Sequence, residues 1–361
     1  MTGTVLIAGA GLSGSRCAET LRARGWAGRV LLVGAERHAP YERPALSKQL
    51  LAGERDEISL RPNAFWDEQQ IDLVLGEPVA QIDTQHRTAT VGDEIVEWDA
   101  LVLATGVRPR RLAGPPGVHH LRTLDDALAL RAELEPNTRV VVVGAGFVGG
   151  EVASTLASLV GQVTVIEPAR TPLERVLGPE VGTLLATRYR AYGVDLRLGI
   201  GVDGFTGGHR VTGVRLSDGS LLPSDVVVVG IGSVANAVEV DECGRSATPG
   251  VFACGDVAAW RRDGRPRRVE HWTSAAGQAR TVAAAITGAD EPYVDAPYFW
   301  SDQFGLRLQH VGHAETWHAV ALDGDERGFT ARYYDREGSM LAALAANRTS
   351  EVASLRRELA A

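Results

Sequence analysis

Two ten-residue stretches decide the fold: Val5-Leu-Ile-Ala-Gly-Ala-Gly-Leu-Ser-Gly14 and Val140-Val-Val-Val-Gly-Ala-Gly-Phe-Val-Gly149. Each is an apolar strand that runs into Gly-x-Gly-x-x-Gly and then into a helical pattern. A second apolar strand follows each helix, at 29–33 and at 162–166, and an acidic residue stands near its end. The repetition predicts two βαβ units of the doubly wound type, each able to bind a dinucleotide.

In the first unit the three glycines have separate roles. Gly9 makes the tight turn, Gly11 lets backbone amides approach a pyrophosphate, and Gly14 lets the helix pack closely on the strand. The start of the helix adds a positive dipole end for the phosphates. Glu36, after the second strand, is expected to accept hydrogen bonds from ribose hydroxyls. A solvated loop acid is the alternative interpretation of Glu36.

The second unit repeats this arrangement with Gly144, Gly146 and Gly149. Glu167 ends the second strand, where a carboxylate hydrogen-bonds a ribose 2′-hydroxyl and repels a 2′-phosphate. This position favours NADH over NADPH. Arg170 weakens the preference, because an arginine can accommodate a phosphate.

The remaining pattern predicts an α/β protein with two interleaved doubly wound domains and a small C-terminal α+β domain. Helices are expected at 15–24, 124–134, 150–159, 274–286 and 350–359, and a hairpin around Asp218-Gly219. The strand that ends in Gly255-Asp256 returns to the first domain. The predicted domains are therefore 1–115 with 235–296, then 116–234, then 297–361.

Composition narrows the class of protein. The net charge is −8, which does not favour nucleic-acid binding, and no apolar run approaches the roughly 20 residues of a membrane span. The three cysteines form no C-x-x-C pair, so a dithiol relay is excluded and a cytoplasmic location is expected. The group His310, His313 and His318 has no acid or cysteine partner to complete a metal site, so no metal is expected.

Shorter motifs carry a family resemblance. Pro40-Tyr-Glu-Arg-Pro-Ala-Leu-Ser-Lys48 resembles the segment PYxRPxLSK of the FAD-dependent ferredoxin and rubredoxin reductases, which serve aromatic-ring dioxygenases and bacterial cytochromes P450. Apoptosis-inducing factor shares their fold. Further matches follow in the family's order and span nearly the whole chain: Ala104-Thr105-Gly106, Leu121-Arg122-Thr123, Gly255-Asp256, Glu270-His271-Trp272 and Phe299-Trp300-Ser301-Asp302-Gln303.

The resemblance implies roles at matching positions. It places FAD in the first dinucleotide site and NADH in the second, and it implies further FAD contacts at Arg43, Lys48, Val79, Thr105, Gly106, Arg122, Asp256 and Trp272. It also places Lys48, Glu151, Glu270 and Trp300 around the path of hydride transfer. Without the resemblance, Glu151 would be interpreted as an acid at a helix N-terminus and Trp300 as a core aromatic.

The implied function is electron transfer from NADH through FAD to a small iron–sulfur protein, a ferredoxin, that feeds an oxygenase such as a cytochrome P450. Two alternatives stay open. One is a flavin enzyme with another acceptor: an NADH oxidase, a quinone reductase or a nitrite-reductase-type enzyme. The other is a redox-responsive binding protein like apoptosis-inducing factor.

One charged run could serve a partner. Five arginines form this run: Arg261, Arg262, Arg265, Arg267 and Arg268. The run is either a solvated loop or a docking patch for an acidic ferredoxin.

Two regions depart from the family pattern. The segment after Ile231 is shorter by about a dozen residues, and the C-terminal domain stops soon after 347–349. Neither region touches the flavin motifs, but either could change partner docking or the nucleotide pocket.

Overall fold

Residues 2–262, 264–294 and 296–360 are described by a computed structural model. Their contacts separate the chain into two units. The first comprises Met1–Glu42, Glu57–Arg108 and Val234–Pro297, and the second comprises Arg43–Asp56, Pro109–Ser233 and Tyr298–Ala361. The division into three domains stays a prediction.

The described residues form the following strands: β1 (Thr4–Ala8), β2 (Arg29–Gly34), β3 (Asp72–Leu75), β4 (Val79–Asp83), β5 (Thr88–Val91), β6 (Glu94–Glu97), β7 (Ala100–Leu103), β8 (Arg108–Pro109), β9 (Val118–His119), β10 (Arg139–Val143), β11 (Gln162–Glu167), β12 (Asp195–Leu198), β13 (Val202–Thr206), β14 (Gly213–Leu216), β15 (Leu221–Pro223), β16 (Val226–Val229), β17 (Ser233–Val234), β18 (Val238–Val240), β19 (Val251–Ala253), β20 (Ala258–Arg262), β21 (Arg265–Arg268), β22 (Tyr298–Gln303), β23 (Leu306–Gly312), β24 (Ala319–Asp325), β25 (Gly328–Tyr334) and β26 (Met340–Ala346). The helices are α1 (Leu12–Ala23), α2 (Ala64–Glu68), α3 (Leu124–Ala132), α4 (Phe147–Leu156), α5 (Glu174–Ala191), α6 (Trp272–Ile286) and α7 (Val352–Ala360).

A five-stranded parallel sheet forms the centre of the first unit, in the order β19-β7-β1-β2-β3. The chain leaves β1 for β2 on one side and reaches β7 on the other, so the strand order reverses at the carboxyl end of β1. Such a switch point is where open parallel sheets bind ligands. Helices α1 and α6 pack against each other and bury small side chains such as Cys17, Ala279 and Ala283.

The second unit contains an equivalent parallel sheet, in the order β12-β11-β10-β16-β9. Here the order reverses at the carboxyl end of β10. The valines that make up β16 and all of β10 except Arg139 are buried, as expected for parallel strands covered on both faces.

The C-terminal residues of the second unit form a five-stranded antiparallel sheet, in the order β22-β23-β26-β25-β24. One face packs on a cluster that includes Leu177 and Val181 of α5, and the other packs on Leu355 of α7. Three further sheets have three strands each: β4-β5-β6, β13-β14-β15 and β18-β20-β21.

The fold class predicted from the sequence is confirmed, with shifted element ends. Helices α1 and α4 begin at Leu12 and Phe147, earlier than predicted, because Gly11 and Gly146 are their N-caps. The sequence missed α5, whose helical pattern is interrupted by a kink at Gly178 with φ +81°. The predicted hairpin at 218–219 is present as β14–β15.

One prediction follows from the loop of the second parallel sheet. A Cβ atom at Gly149 would lie 2.0 Å from the carbonyl oxygen of Gly144, whereas a Cβ at Gly204 in β13 would meet nothing within 4 Å. We expect Gly149→Ala to lower the free energy of unfolding by about 1–3 kcal/mol, because the backbone of the loop must move. Urea unfolding of the two variants measures this, and Gly204→Ala serves as the control. Equal stability of both variants would contradict the close approach.

Candidate nucleotide-binding and hydride-transfer site

The loop after β1 is shaped by its glycines. Gly9 has φ +116°, and a Cβ there would lie 2.3 Å from the carbonyl oxygen of Ala104, so this glycine lets two strand ends meet. A Cβ at Gly14 would lie 1.9 Å from the carbonyl oxygen of Gly9. A Cβ at Gly11, by contrast, would enter open space, with nothing within 4 Å. The loop is therefore closed where the protein packs and open where a phosphate would approach the N-terminus of α1.

Two further strand ends join this loop. Thr105 and Gly106 follow β7, and Gly106 has φ +68°. Gly255 and Asp256 follow β19, and a Cβ at Gly255 would lie 2.4 Å from Oγ of Ser13 in the first turn of α1. The carboxyl ends of β1, β7 and β19, which are neighbours in the sheet, thus bring these predicted contacts together.

The other predicted contacts of the first unit lie around the same sheet. Glu36 follows β2, and its Oε2 accepts a hydrogen bond of 2.5 Å from the hydroxyl of Tyr41. Val79 packs on the cluster that contains Val33 of β2. Trp272 is the first residue of α6.

Glu270 is exposed and pairs with Arg268 at 2.6 Å. Arg268 also donates a hydrogen bond of 2.9 Å to the carbonyl oxygen of Asp256. Arg268 therefore links Glu270 to the backbone of a predicted FAD contact.

The loop after β10 repeats the first one. Gly144 has φ +101°, and a Cβ there would lie 2.5 Å from the carbonyl oxygen of Gly230. A Cβ at Gly146 would meet no atom closer than 4.0 Å, so the second glycine again faces open space. Both loops fit the pyrophosphate of a dinucleotide by the same criterion, a glycine whose missing side chain leaves room beside a helix N-terminus.

The carboxylate of Glu167 is fixed by two backbone amides. Its Oε2 accepts from the amide of Ala145 at 2.8 Å, and its Oε1 accepts from the amide of Ala169 at 2.9 Å. Ala145 is the middle residue of the Gly-x-Gly segment, so Glu167 also holds the loop in place. Arg170 is exposed.

A nearly buried ion pair of the second unit joins Lys48 and Glu151. The Nζ of Lys48 lies 2.7 Å from Oε2 of Glu151, and their side chains are 12% and 9% exposed. Ser47 donates a hydrogen bond of 2.5 Å to the same oxygen, and Ser301 donates one of 2.8 Å to Oε1. Three donors therefore satisfy a carboxylate that is almost removed from water.

The segment that carries Lys48 is anchored along its length. Nη1 of Arg43 donates to the carbonyl oxygen of Arg122 at 2.6 Å, which brings these two predicted FAD contacts together. Thr155 of α4 donates to the carbonyl oxygen of Ser47 at 2.8 Å. Leu51 is buried in the core beneath the second parallel sheet.

Trp300 lies on β22, next to Ser301, and its half-buried ring stacks on Tyr298 with centroids 6.3 Å apart. Sequence reasoning named Trp300 but missed Ser47 and Ser301 as partners of Glu151. The signal was present, because each serine directly adjoins a residue that the motifs singled out.

The cysteines do not offer reactive thiolates. Cys17, Cys243 and Cys254 are free and buried. Burial raises the pKa of Cys254 to about 12 and raises the pKa of the other two thiols. Thiolate is scarce at such sites near neutral pH.

The arginine run is a hairpin, so its interpretation as a loop is wrong. Strands β20 and β21 pair antiparallel. Arg265 and Arg267 lie on one face, and Arg261 and Arg268 lie on the other, because side chains alternate along a strand. Arg261 pairs with Glu239 at 3.3 Å. The side chain of Arg262 lies outside the described part of the structure.

The buried pair gives a prediction about stability. We expect Lys48→Met to lower the free energy of unfolding by about 3–5 kcal/mol, because it leaves the Glu151 carboxylate buried without its cation. The double variant Lys48→Met/Glu151→Gln should recover at least half of that loss. Urea unfolding of protein stripped of nucleotide measures both.

The control is Asp56→Asn, which removes an acid that is 80% exposed and pairs with Arg131 at 2.6 Å. This exposed pair should cost no more than about 1 kcal/mol. A loss for Lys48→Met as small as for Asp56→Asn would show that the pair is not buried in solution.

Comparison with known proteins agrees with these features. Residues 3–279 match the family described as "Pyridine nucleotide-disulphide oxidoreductase", and residues 298–361 match "Reductase C-terminal". The chain is 40% identical to the 5,5'-dehydrodivanillate O-demethylase ferredoxin reductase subunit of Sphingobium sp. strain SYK-6, over 96% of this chain and 90% of that one. It is 37% identical to the p-cumate 2,3-dioxygenase system ferredoxin--NAD(+) reductase component of Pseudomonas putida, over 98% and 92%.

Among solved structures, the covalent complex of putidaredoxin reductase with putidaredoxin matches with a TM-score of 0.94 and 33% identity, covering 99% of this chain and 93% of that chain. Two relatives above 30% identity, matched over nearly their whole length, and a family match over most of the chain point the same way. The chain belongs to the FAD-dependent NAD(P)H:ferredoxin reductases of the pyridine nucleotide-disulphide oxidoreductase family.

Proposed function

We propose that this protein passes electrons from NADH through FAD to a small iron–sulfur protein of the ferredoxin type, which feeds an oxygenase such as a cytochrome P450. The observation that carries the proposal is the presence, in one chain, of two open glycine loops of the same construction, each at the switch point of a parallel sheet. Relatives named as ferredoxin reductase components of oxygenase systems support the choice of acceptor.

The proposed roles follow the family motifs. FAD contacts the loop of Gly9, Gly11 and Gly14, and NADH contacts the loop of Gly144, Gly146 and Gly149. When bound, FAD accepts two electrons together as a hydride and releases them one at a time. Further FAD contacts are proposed at Glu36, Arg43, Lys48, Val79, Thr105, Gly106, Arg122, Asp256 and Trp272.

Lys48 and Glu151 act as a fixed pair of charges beside the reacting rings. A buried ammonium group favours negative charge that develops near it, and the carboxylate holds that ammonium in place. Trp300 and Glu270 are proposed to border the same path. Catalysis then depends on positioning and electrostatics, with no covalent intermediate on the protein.

The geometry of Glu167 supports NADH as the donor. A carboxylate held by two backbone amides cannot swing away from an approaching 2′-phosphate without breaking those bonds. An exposed Arg170 can move, but it cannot remove that fixed negative charge.

The partner is proposed to dock near the β20–β21 hairpin, on the face that carries Arg265 and Arg267. Arg265 is exposed and Arg267 is partly exposed there, where their positive charge would attract an incoming acidic protein. We also propose a cytoplasmic location. Among the described residues, no helix is both long and apolar enough to cross a bilayer.

Steady-state assays with NADH test the proposed function. We expect rapid reduction of a [2Fe–2S] ferredoxin and slow turnover with oxygen or a quinone. Fast turnover on oxygen, quinone or nitrite without ferredoxin reduction would favour the enzyme alternative. Very slow turnover with every acceptor would favour a redox-responsive binding protein.

A variant of Glu167 tests the choice of nucleotide. We expect Glu167→Gln to raise the ratio of kcat/KM for NADPH to that for NADH by about 5- to 10-fold, because it removes a charge that repels the 2′-phosphate. The control is Asp195→Asn, which removes a half-exposed carboxylate from β12 of the same sheet. A ratio that moves equally in both variants would show that Glu167 does not read the ribose.

A charge reversal tests the docking face. We expect Arg265→Glu/Arg267→Glu to lower kcat/KM for ferredoxin by about 10-fold or more at low ionic strength, and the deficit should shrink as salt screens the charges. Reduction of the flavin by NADH should stay unchanged. The control is Arg215→Glu, at an exposed position of β14. An unaltered salt dependence of ferredoxin reduction would rule the face out.

A further inference from the structure

Behind Glu151 lies a chain of buried hydrogen bonds. The hydroxyl of Tyr189 donates to Oε1 of Gln303 at 3.3 Å, and Nε2 of Gln303 donates to Oγ of Ser301 at 3.2 Å. Ser301 then donates to Oε1 of Glu151. The four residues are 0%, 2%, 1% and 7% exposed, in that order. They come from α5, β22 and α4, so the chain ties three elements of the second unit together.

The hydroxyl of Tyr189 fixes which group donates in each of these hydrogen bonds. Burial raises the pKa of Tyr189 above its usual range, and the negative charges of Glu167 and Glu151 raise it further. Tyr189 therefore keeps its proton and donates. The amide of Gln303 accepts through its oxygen, so its NH2 group faces Ser301, and the single hydroxyl proton of Ser301 is left to point at Glu151.

Gly150 leaves the space that this arrangement needs. A Cβ at this position of α4 would lie 2.2 Å from Oε1 of Gln303 and 2.5 Å from the hydroxyl of Tyr189. Gly150, which directly precedes Glu151, thus has no side chain at the point where Tyr189 and Gln303 meet.

The turn after Gln303 is anchored under strain. Phe304 has φ +50° and Gly305 has φ +69°, the left-handed pair of a two-residue hairpin turn between β22 and β23. Phe304 is buried between Tyr189 and Tyr192, whose ring centroids lie 4.1 and 5.6 Å from its own. Its backbone amide is also held, because it donates a hydrogen bond of 2.6 Å to Oγ of Ser154. A strained residue held on several sides fixes its neighbour Gln303.

We propose that Tyr189, Gln303 and Ser301 are positioning residues that set the orientation of the Glu151 carboxylate and, through it, the place of the Lys48 ammonium group. The inference rests on the proposed function, in which this charged pair lies beside the path of hydride transfer. Loss of these hydrogen bonds should slow hydride transfer without weakening NADH binding. Displacement of a charged group beside the reacting atoms changes the activation barrier of hydride transfer more than the affinity for NADH.

The test compares two tyrosines of one helix. Tyr189→Phe removes the first donor and keeps the ring that packs on Phe304. Tyr192→Phe removes a hydroxyl that makes a long contact of 3.4 Å with Arg188 and takes no part in the hydrogen bonds behind Glu151. In anaerobic stopped-flow mixing of the holoenzyme with NADH, Tyr189→Phe should lower the limiting rate of flavin reduction by about 3- to 10-fold. The dissociation constant for NADH should stay within about twofold, and Tyr192→Phe should match the unaltered protein.

Two further measurements separate positioning from general weakening. Tyr189→Phe should have no added effect in a Ser301→Ala background, because the tyrosine acts through the serine. Crystal structures of the flavin-free variants should show the Lys48 Nζ to Glu151 Oε2 distance increased from 2.7 Å to beyond about 3.5 Å, or the carboxylate in two orientations. Gly150→Ala, which adds a good helix former, should reproduce both the slower rate and the displaced pair.

The proposal is overturned if Tyr189→Phe and Gly150→Ala reduce the flavin as fast as Tyr192→Phe does, or if their effects add fully to that of Ser301→Ala. Failure of the proposed function would look different. In that case the unaltered protein would bind no flavin or would not be reduced by NADH, while the structures of the flavin-free variants would still report whether the chain orients Glu151.

Discussion

A lysine and a glutamate that are both nearly buried impose the strictest demand on this structure. Lys48 and Glu151 lie about a hundred residues apart in the sequence, and each charge would be costly to bury alone. Their attraction offsets the lost hydration only when the remaining lone pairs of the two carboxylate oxygens also find donors. Ser47 and Ser301 supply those donors, so the segment Arg43–Asp56, helix α4 and strand β22 must be assembled together for the pair to exist.

The two nucleotide loops use their three glycines in the same way. In each loop, two of the three glycines are required by the protein itself, because a Cβ would run into backbone oxygens. The remaining glycine faces open space and is required only if a ligand approaches there. This division separates residues that maintain the fold from residues that admit a dinucleotide, and it recurs in both parallel sheets.

Much of this was predictable from the sequence. The apolar strands, the glycine spacing and the acids after the second strands predicted both parallel sheets, since these features are local and follow directly from steric rules. The sequence does not predict helix α5 because Gly178 and Pro179 interrupt its pattern. The backbone at Gly178 is not helical, so α5 consists of two helical segments that meet at a kink. The sequence does not predict the hairpin of the arginine run, because consecutive charged residues conceal the alternation of a strand pair. The family motifs place Lys48 and Glu151 on the same path, and Ser47 and Ser301 each adjoin a motif residue. Their hydrogen bonds to Glu151 do not follow from the sequence, because Ser301 is 150 residues away and only the folded chain brings it near.

A single chain is proposed to hold both the donor nucleotide and the flavin that NADH reduces. Anaerobic mixing of the purified protein with NADH or NADPH, followed at the flavin absorbance and then by a second mix with a [2Fe–2S] ferredoxin, tests it most directly. We expect that NADH bleaches the flavin rapidly, that NADPH does so slowly, and that ferredoxin restores the oxidised spectrum. A protein without bound flavin, or one that NADH reduces only over minutes, would contradict it.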